Sequence, residues 1–342
     1  MADGSHSNFS GLTDQFGRQI SYLRLSVTDR CDLRCTYCMS EKMSFLPKSE
    51  VLSEPELFSV ARAFVARGVR KIRITGGEPL VRKDIMSLFE RLSTLRAMGL
   101  DELTLTTNAT LLDRYASQLY DCGVRRVNIS LDSINPQTFR TISRRDQLGA
   151  VLKGILAAQQ AGLSVKLNMV VMKGRNDLEV PELVQWAHSR GIEVTLIEVM
   201  PMGETGESRF DQYVPLTDIR DRLEEIWTLE DEVSADTLGG PARYVRVRET
   251  GGRLGFITPL TNNFCAGCNR VRVTCTGRIY MCLGQDDHVD LRAALRSSDD
   301  PFEALNLALD KAMLRKPEGH DFEIGRGQRD EAVARHMSVT GG

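Results

Sequence analysis

A chain of 342 residues with 42% hydrophobic composition is long enough to bury a large core, and a formal net charge of −2 with 26% charged residues excludes a globally basic nucleic-acid binder or an acidic tail. No run of about eighteen apolar residues occurs and residues 1–20 lack a signal-peptide core, so neither a membrane span nor a secretory leader is expected and the chain reads as cytoplasmic. Eight cysteines in such a chain point to metal or redox chemistry and exclude a disulfide framework.

Residues 1–20, MADGSHSNFSGLTDQFGRQI, read as a flexible N-terminal segment, with GSHS at 4–7 as either a cloning scar or a native terminus. From 21 to 200, short β-branched runs alternate with amphipathic ones, the pattern of βα units around a parallel sheet. The strands predicted are SYLRLSVT at 21–28, KIRIT at 71–75, ELTLTT at 102–107, RRVNISLD at 125–132, SVKLNMVV at 164–171 and EVTLIEVM at 193–200. Between the first two, SEPELFSVARAFVARG at 53–68 reads as a helix, with Ser53 as cap, Pro55 in its first turn and Gly68 at its end. Gly99, Gly123, Gly162 and Gly191 close other helices in the same way. Six such units predict an α/β chain folded as an incomplete (β/α)6 TIM-like barrel, with polar residues at the strand C-termini gathered at one mouth.

After about residue 201 the rhythm changes to PMGETGES, a helix in VPLTDIRDRLEEIW at 214–227, and a hairpin in ARYVRVRETGGRLGFI turning at Gly251-Gly252. The expected division is a segment 1–20, a partial barrel 21–200 and a smaller C-terminal α+β module 201–342 that closes the barrel mouth.

The stretch DRCDLRCTYC, residues 29–38, spaces three thiols as C-x3-C-x2-C just after the first strand. Disulfide pairing would leave one thiol over and strain the short loops. Structural zinc usually takes four ligands, whereas three thiolates suit a [4Fe–4S] cluster with one open iron. A second triad, Cys265, Cys268 and Cys282, lies in NFCAGCNRVRVTCTGRIYMCL. It leaves two readings open, a second cluster or zinc with Cys275 as fourth ligand, although Cys275 also fits a plain strand position. Cys122, late in a helix, reads as a buried apolar residue. Arg24, Arg73 and Lys166 sit inside otherwise apolar strands, which suits a bound anion or a water-filled barrel, and no Walker-type G-x4-G-K-S/T loop occurs.

These residues resemble a known family. The first triad followed by TGGEP at 75–79 is similar to the radical S-adenosylmethionine (SAM) superfamily. The second triad, the Arg-rich stretch beside it and the terminal Gly341-Gly342 resemble, within it, the GTP 3′,8-cyclases of molybdenum cofactor biosynthesis, over nearly the whole chain from about Tyr22 to Gly342. The resemblance implies two [4Fe–4S] clusters, one on Cys31, Cys35 and Cys38, the other on Cys265, Cys268 and Cys282. It implies SAM on the open iron of the first, touched by Tyr37, Gly77, Ser130 and Met200. GTP is the implied substrate, contacted by Arg24, Arg73, Thr106, Lys166, Arg270 and Arg272, with the two last arginines and the first triad as catalytic residues.

The implied reaction cleaves SAM reductively to a 5′-deoxyadenosyl radical, which takes the C3′ hydrogen of GTP. The C3′ radical attacks C8 of a guanine held by the second cluster and gives 3′,8-cyclo-7,8-dihydro-GTP, the first step toward molybdopterin. The resemblance further implies an external one-electron reductant, a downstream cyclic pyranopterin monophosphate synthase, no nucleic-acid or membrane partner, and a monomer or homodimer. Two other classes compete: a radical SAM peptide-modifying enzyme with an auxiliary cluster, and a non-enzymatic iron–sulfur or zinc protein. The former usually carries more cysteines and needs no strand cations; the latter needs no cavity. Finally, the diglycine tail is expected to enter the barrel mouth beside Arg24 and Arg73, where a Cβ would clash.

Overall fold

The computed structural model describes residues 10–232, 240–261, 264–320, 322 and 333–341, so GSHS at 4–7 and Gly342 lie outside the described residues. Six parallel strands stand side by side in chain order: β1 (Tyr22–Ser26), β2 (Lys71–Thr75), β3 (Glu102–Thr107), β4 (Arg126–Ser130), β5 (Ser164–Val171) and β6 (Glu193–Glu198). Helices α1 (Glu54–Ala66), α2 (Ile85–Ser93), α3 (Leu112–Asp121), α4 (Pro136–Ser143), α5 (Leu148–Gln160) and α6 (Val180–His188) make the crossovers. At the start of α1 the Glu56 carboxylate accepts from the Ser53 N–H at 2.7 Å and from its hydroxyl at 2.9 Å, which fixes the first turn. The glycine after it, Gly68, has φ +91°, the left-handed geometry that ends a helix cheaply only without a Cβ.

Strand side chains alternate between two faces. Leu23, Leu25, Ile72, Ile74, Leu105, Val127 and Ile129 are fully buried and form a continuous core with the helices. Their neighbours Tyr22, Arg24, Lys71, Arg73, Thr106, Asn128 and Lys166 face the interior cavity instead. Truncating one of the core residues, as in Ile74→Ala, is expected to cost roughly 2–5 kcal/mol.

The later chain adds strands to both edges of this sheet. On one edge β7 (Leu229–Glu232), β8 (Arg243–Val247) and β9 (Arg253–Ile257) join through β9, which runs parallel to β6. On the other, β10 (Arg270–Val273), β11 (Arg278–Tyr280) and β12 (His288–Asp290) join through β10, parallel to β1. The order is β12-β11-β10-β1-β2-β3-β4-β5-β6-β9-β8-β7, and among the described residues the two ends do not pair, the arrangement of an incomplete TIM-like barrel. Register sets the chemistry of its inner face: Arg24 lies opposite both Arg272 and Arg73, and Tyr22 lies opposite both Arg270 and Lys71. Residues before β1 pack on the barrel as well, with Leu12 and Ile20 buried. No described helix is long and apolar enough to cross a membrane.

Candidate functional site

The barrel encloses a cavity of about 510 Å³, lined by all three cysteines of the first triad, all three of the second, Tyr37, Gly77, Ser130, Met200, and the six polar residues Arg24, Arg73, Thr106, Lys166, Arg270 and Arg272. Cys122 and Cys275 do not line it: Cys122 ends α3, and Cys275 is fully buried beside Ser26, Asp29 and Arg82.

The first triad sits on a loop that leaves β1 and folds back on itself, Cys35 O accepting from the N–H of Cys38 at 2.9 Å and of Met39 at 3.2 Å. Two further bonds pin it to the end of α4, Arg34 N to Ser143 O and Thr36 N to Ile142 O, both 2.9 Å. Burial pushes all three thiols above their ordinary range, Cys38 only to about 11 because the Arg209 guanidinium opposes it. Asp32 accepts from Asn108 Nδ2 at 2.7 Å and from Thr110 Oγ1 at 2.5 Å, while Asn108 Nδ2 also lies 3.8 Å from Cys31 Sγ. Glu78 accepts from Asn108 N (2.6 Å), Thr107 Oγ1 (2.8 Å) and Leu80 N (2.9 Å), and its burial raises it to about 7. Gly77 closes against this loop so tightly that a Cβ there would stand 2.3 Å from Arg30 O. Tyr37 donates from its hydroxyl to Asp132 at 2.9 Å, and its carbonyl accepts from the fully buried Arg209 at 2.9 Å.

The cavity wall also carries a ledge of cations. Burial lowers Arg24 to about 9, with Arg272, Arg73 and Arg270 as repelling neighbours, and lowers Arg272 to about 10 with Arg270 beside it. Among the described residues, the Nε atoms of Arg73 and Arg272, Oγ1 of Thr106 and Oδ1 of Asn128 are buried without a hydrogen-bond partner. Buried donors and like charges left in this state cost free energy that an incoming anion would recover. Lys166 Nζ touches the Tyr244 hydroxyl, and burial lowers it to about 7 against the opposing effect of Glu193.

Comparisons with known proteins bear on this arrangement. Residues 25–207 match the family model of the radical SAM superfamily, and residues 192–322 match that of Molybdenum Cofactor Synthesis C. The chain is 60% identical over 331 residues to the GTP 3′,8-cyclase of Rhizobium etli (strain CIAT 652), covering 97% of this chain and 94% of that one. It is 61% identical over 333 residues to the GTP 3′,8-cyclase of Erythrobacter litoralis (strain HTCC2594), covering 97% and 99%. The chain belongs to the radical SAM superfamily, in its GTP 3′,8-cyclase family. Among solved structures it resembles Streptococcus suis SuiB bound to S-adenosylmethionine, with a TM-score of 0.61 and 17% identity over 84% of this chain and 68% of that one, a likeness of fold alone.

A radical SAM barrel needs thiolates that fit a cluster, and the donor sets allow a test. Cys275 is buried away from the cavity that the other three cysteines line, which disfavours four-thiolate zinc in the second triad. A [4Fe–4S] cube takes one thiolate per iron corner, so two three-thiol sets facing one cavity fit two clusters with open irons. In the second set, Cys268 N–H bonds Cys265 O at 3.0 Å in a short 3₁₀ turn. Burial raises the Cys268 thiol, but Lys316 and Arg270 outweigh it and bring it to about 7.

Several residues around this radical SAM cavity escape sequence reasoning. Tyr22, Lys71 and Asn128 line it, and they carried a signal, since Tyr22 and Lys71 share the inward parity of their strands with Arg24 and Arg73, and Asn128 alternates with the apolar Val127 and Ile129. Glu78 and Asn108 carried a weaker one, as polar residues at strand ends. Lys316, in RKPEGH, carried none, because a charged run after a helix reads as solvated. The tail arrives at the same cavity wall: Gly341 O accepts from Arg24 Nη2 at 3.3 Å.

Proposed function

We infer that this chain is a GTP 3′,8-cyclase that joins C3′ of the ribose to C8 of the guanine, the first step of molybdenum cofactor biosynthesis. One observation carries the reading beyond family membership: both thiol triads line one cavity together with Arg73 and Arg272, whose buried Nε atoms have no hydrogen-bond partner among the described residues. When bound, the first [4Fe–4S] cluster supplies the electron that cleaves SAM to methionine and a 5′-deoxyadenosyl radical, and the second supplies an open iron to hold guanine.

The chain's own residues bind, orient and exclude water. Cys31, Cys35 and Cys38 would ligate the first cluster and Cys265, Cys268 and Cys282 the second. Gly77 leaves the backbone bare where SAM would lie, with Tyr37, Ser130 and Met200 around it. Arg24, Arg73, Lys166, Arg270 and Arg272 would take the triphosphate oxygens, Thr106 adding a hydroxyl donor. Fixing C8 over C3′ turns ring closure into an intramolecular encounter, where orientation is worth many orders of magnitude. The proposed division of labour places the SAM-cleaving barrel in 21–200 and the guanine-holding module in 201–342.

The peptide-modifying alternative gains nothing from the SuiB likeness, which is one of fold, and the cation ledge has no use on a peptide. A carrier or scaffold would not need an enclosed cavity of about 510 Å³. Two thiol triads that must stay reduced to hold clusters suit the reducing cytoplasm. An external donor must supply one electron through the first cluster and a second, with a proton, to the purine radical left by ring closure, and a cyclic pyranopterin monophosphate synthase would consume the product. The chain would work as a monomer or homodimer, without nucleic acid or membrane.

Arg73→Ala is expected to weaken GTP binding by roughly 10- to 150-fold, the equivalent of a charge-assisted contact of about 1.5–3 kcal/mol. Guanosine binding should change little, and calorimetry on both ligands decides; equal losses would place Arg73 at the base or in the fold. A pH dependence follows from Lys166, which loses its proton near 7 in the free protein. A bound triphosphate favours the ammonium and raises that value, so binding takes up a proton above pH 7 and affinity falls as pH rises, by at most about tenfold per unit. Lys166→Arg keeps its charge and should flatten this fall between pH 7 and 9; an unchanged slope would remove Lys166 from the phosphate site.

A further inference from the structure

Lys316 is a buried lysine with an unusual set of neighbours. It follows the helix Pro301–Met313 and is only 2% exposed. Its ammonium donates to Met281 O at 2.8 Å and Arg270 O at 3.2 Å, and it lies 3.7 Å from Cys268 Sγ. Among the described residues no carboxylate forms an ion pair with it. A buried ammonium that meets only carbonyls and one sulfur is costly unless that sulfur carries negative charge.

The same short segment is bound to the second triad elsewhere. Gly319 O lies 3.9 Å from Cys282 Sγ, close enough to accept from the thiol, and a Cβ on Gly319 would be 3.8 Å from Cys265 Sγ. Arg18 ties the two together from behind, donating to Cys265 O at 2.9 Å, Glu318 O at 2.7 Å and Pro317 O at 2.5 Å, while Asp14 holds its Nε at 2.6 Å. Residues 316–319 therefore form a rigid bracket around the thiols, and Lys316 is the one charge that the bracket points inward.

We propose that Lys316 is a positioning residue of the second cluster, donating a hydrogen bond to the Cys268 thiolate and supplying the buried counter-charge that makes this cluster easier to reduce than its three thiolates alone would allow. Hydrogen bonds to ligand sulfur and net local charge are the main protein levers on cluster potential. A positive charge stabilises the more negative, reduced state, so its removal lowers the potential. The arginines of the cavity add to the local charge, but among the described residues Lys316 is the charged side chain that donates to a sulfur of the second triad, and it does not line the cavity. The inference rests on the reading that Cys265, Cys268 and Cys282 hold a [4Fe–4S] cluster, which iron and sulfide content of the parent protein tests separately.

The test uses the full chain with Cys31, Cys35 and Cys38 changed to Ser, so that the second cluster is the sole signal. Lys316→Met keeps the length and apolar stem without the charge, and Lys316→Arg keeps the charge. Each is reconstituted anaerobically and titrated with titanium(III) citrate under electron paramagnetic resonance. The expected result is a midpoint shifted to lower potential in Lys316→Met, with Lys316→Arg close to the Lys316 protein. A purely structural lysine would change melting temperature and leave the midpoint in place, which overturns the proposal. Equal shifts in both variants overturn it too. Should Lys316→Met fail to load a cluster, loading by Lys316→Arg but not Lys316→Gln supports the counter-charge, and equal loss in all three refutes it.

Discussion

Cys38→Ser protein, reconstituted anaerobically and supplied with reductant, SAM and GTP, is expected to form no 5′-deoxyadenosine above background, a loss on the order of 10³-fold or more, the scale seen when an essential catalytic group is removed. The thiol stands on a loop pinned by backbone bonds to Ser143 and Ile142, and its hydroxyl replacement is nearly isosteric, so the barrel should fold as before. An alkoxide is far harder to form than a thiolate and is a poor ligand for iron in a cluster. Burial still raises the Cys38 thiol, to about 11, with the Arg209 guanidinium opposing it. The second triad should retain its iron. Parent-rate 5′-deoxyadenosine from protein of known cluster content would remove this triad from SAM cleavage.

The second large effect concerns the tail. Gly341 has φ +74°, its carbonyl accepts from Arg24 at 3.3 Å, and a Cβ in its place would fall 1.9 Å from Thr75 Oγ1 and 2.6 Å from Thr75 Cβ. Gly341→Val combines that overlap with a left-handed backbone that a β-branched residue strongly resists. The short helix Met337–Thr340 before it places the tail beside the cysteine loop and contributes few apolar groups to the main core. The tail should therefore leave the cavity wall while the barrel stays intact. Cyclase turnover is expected to fall roughly 100-fold, the scale of a 1 Å misplacement in a positioned site, with melting temperature and both cluster contents near the parent. Removing residues 341–342 should do the same. Full turnover in either variant would make the tail a bystander.

How much of this was legible in the sequence depends on range along the chain. KIRIT, ELTLTT and SVKLNMVV coincide with β2, β3 and β5, because their alternation of apolar with polar side chains is a local period-2 signal. The predicted first, fourth and sixth strands run past their observed ends, at Val27-Thr28, Leu131-Asp132 and Val199-Met200. Those residues have strand-like composition but leave the ladder to build the mouth, where Asp132 holds the Tyr37 hydroxyl and Met200 lines the cavity. The hairpin around Gly251-Gly252 was local and readable; its parallel docking on β6, and that of β10 on β1, was not. Pairing of Arg24 with Arg272 depends on that long-range register, which no periodicity encodes. The same limit applies to Cys275. Spacing alone offers it as a fourth ligand, and only the turn after β10 sends its thiol into the core beside Ser26.

The central claim, that one cavity carries a radical from SAM to the ribose of GTP and closes the C3′–C8 bond, is tested most directly by anaerobic turnover with GTP deuterated at C3′. The account predicts deuterium in the 5′-deoxyadenosine and a product isomeric with GTP that carries the new bond from C3′ to C8. Unlabelled 5′-deoxyadenosine from GTP deuterated only at C3′, formed together with that product, would contradict it.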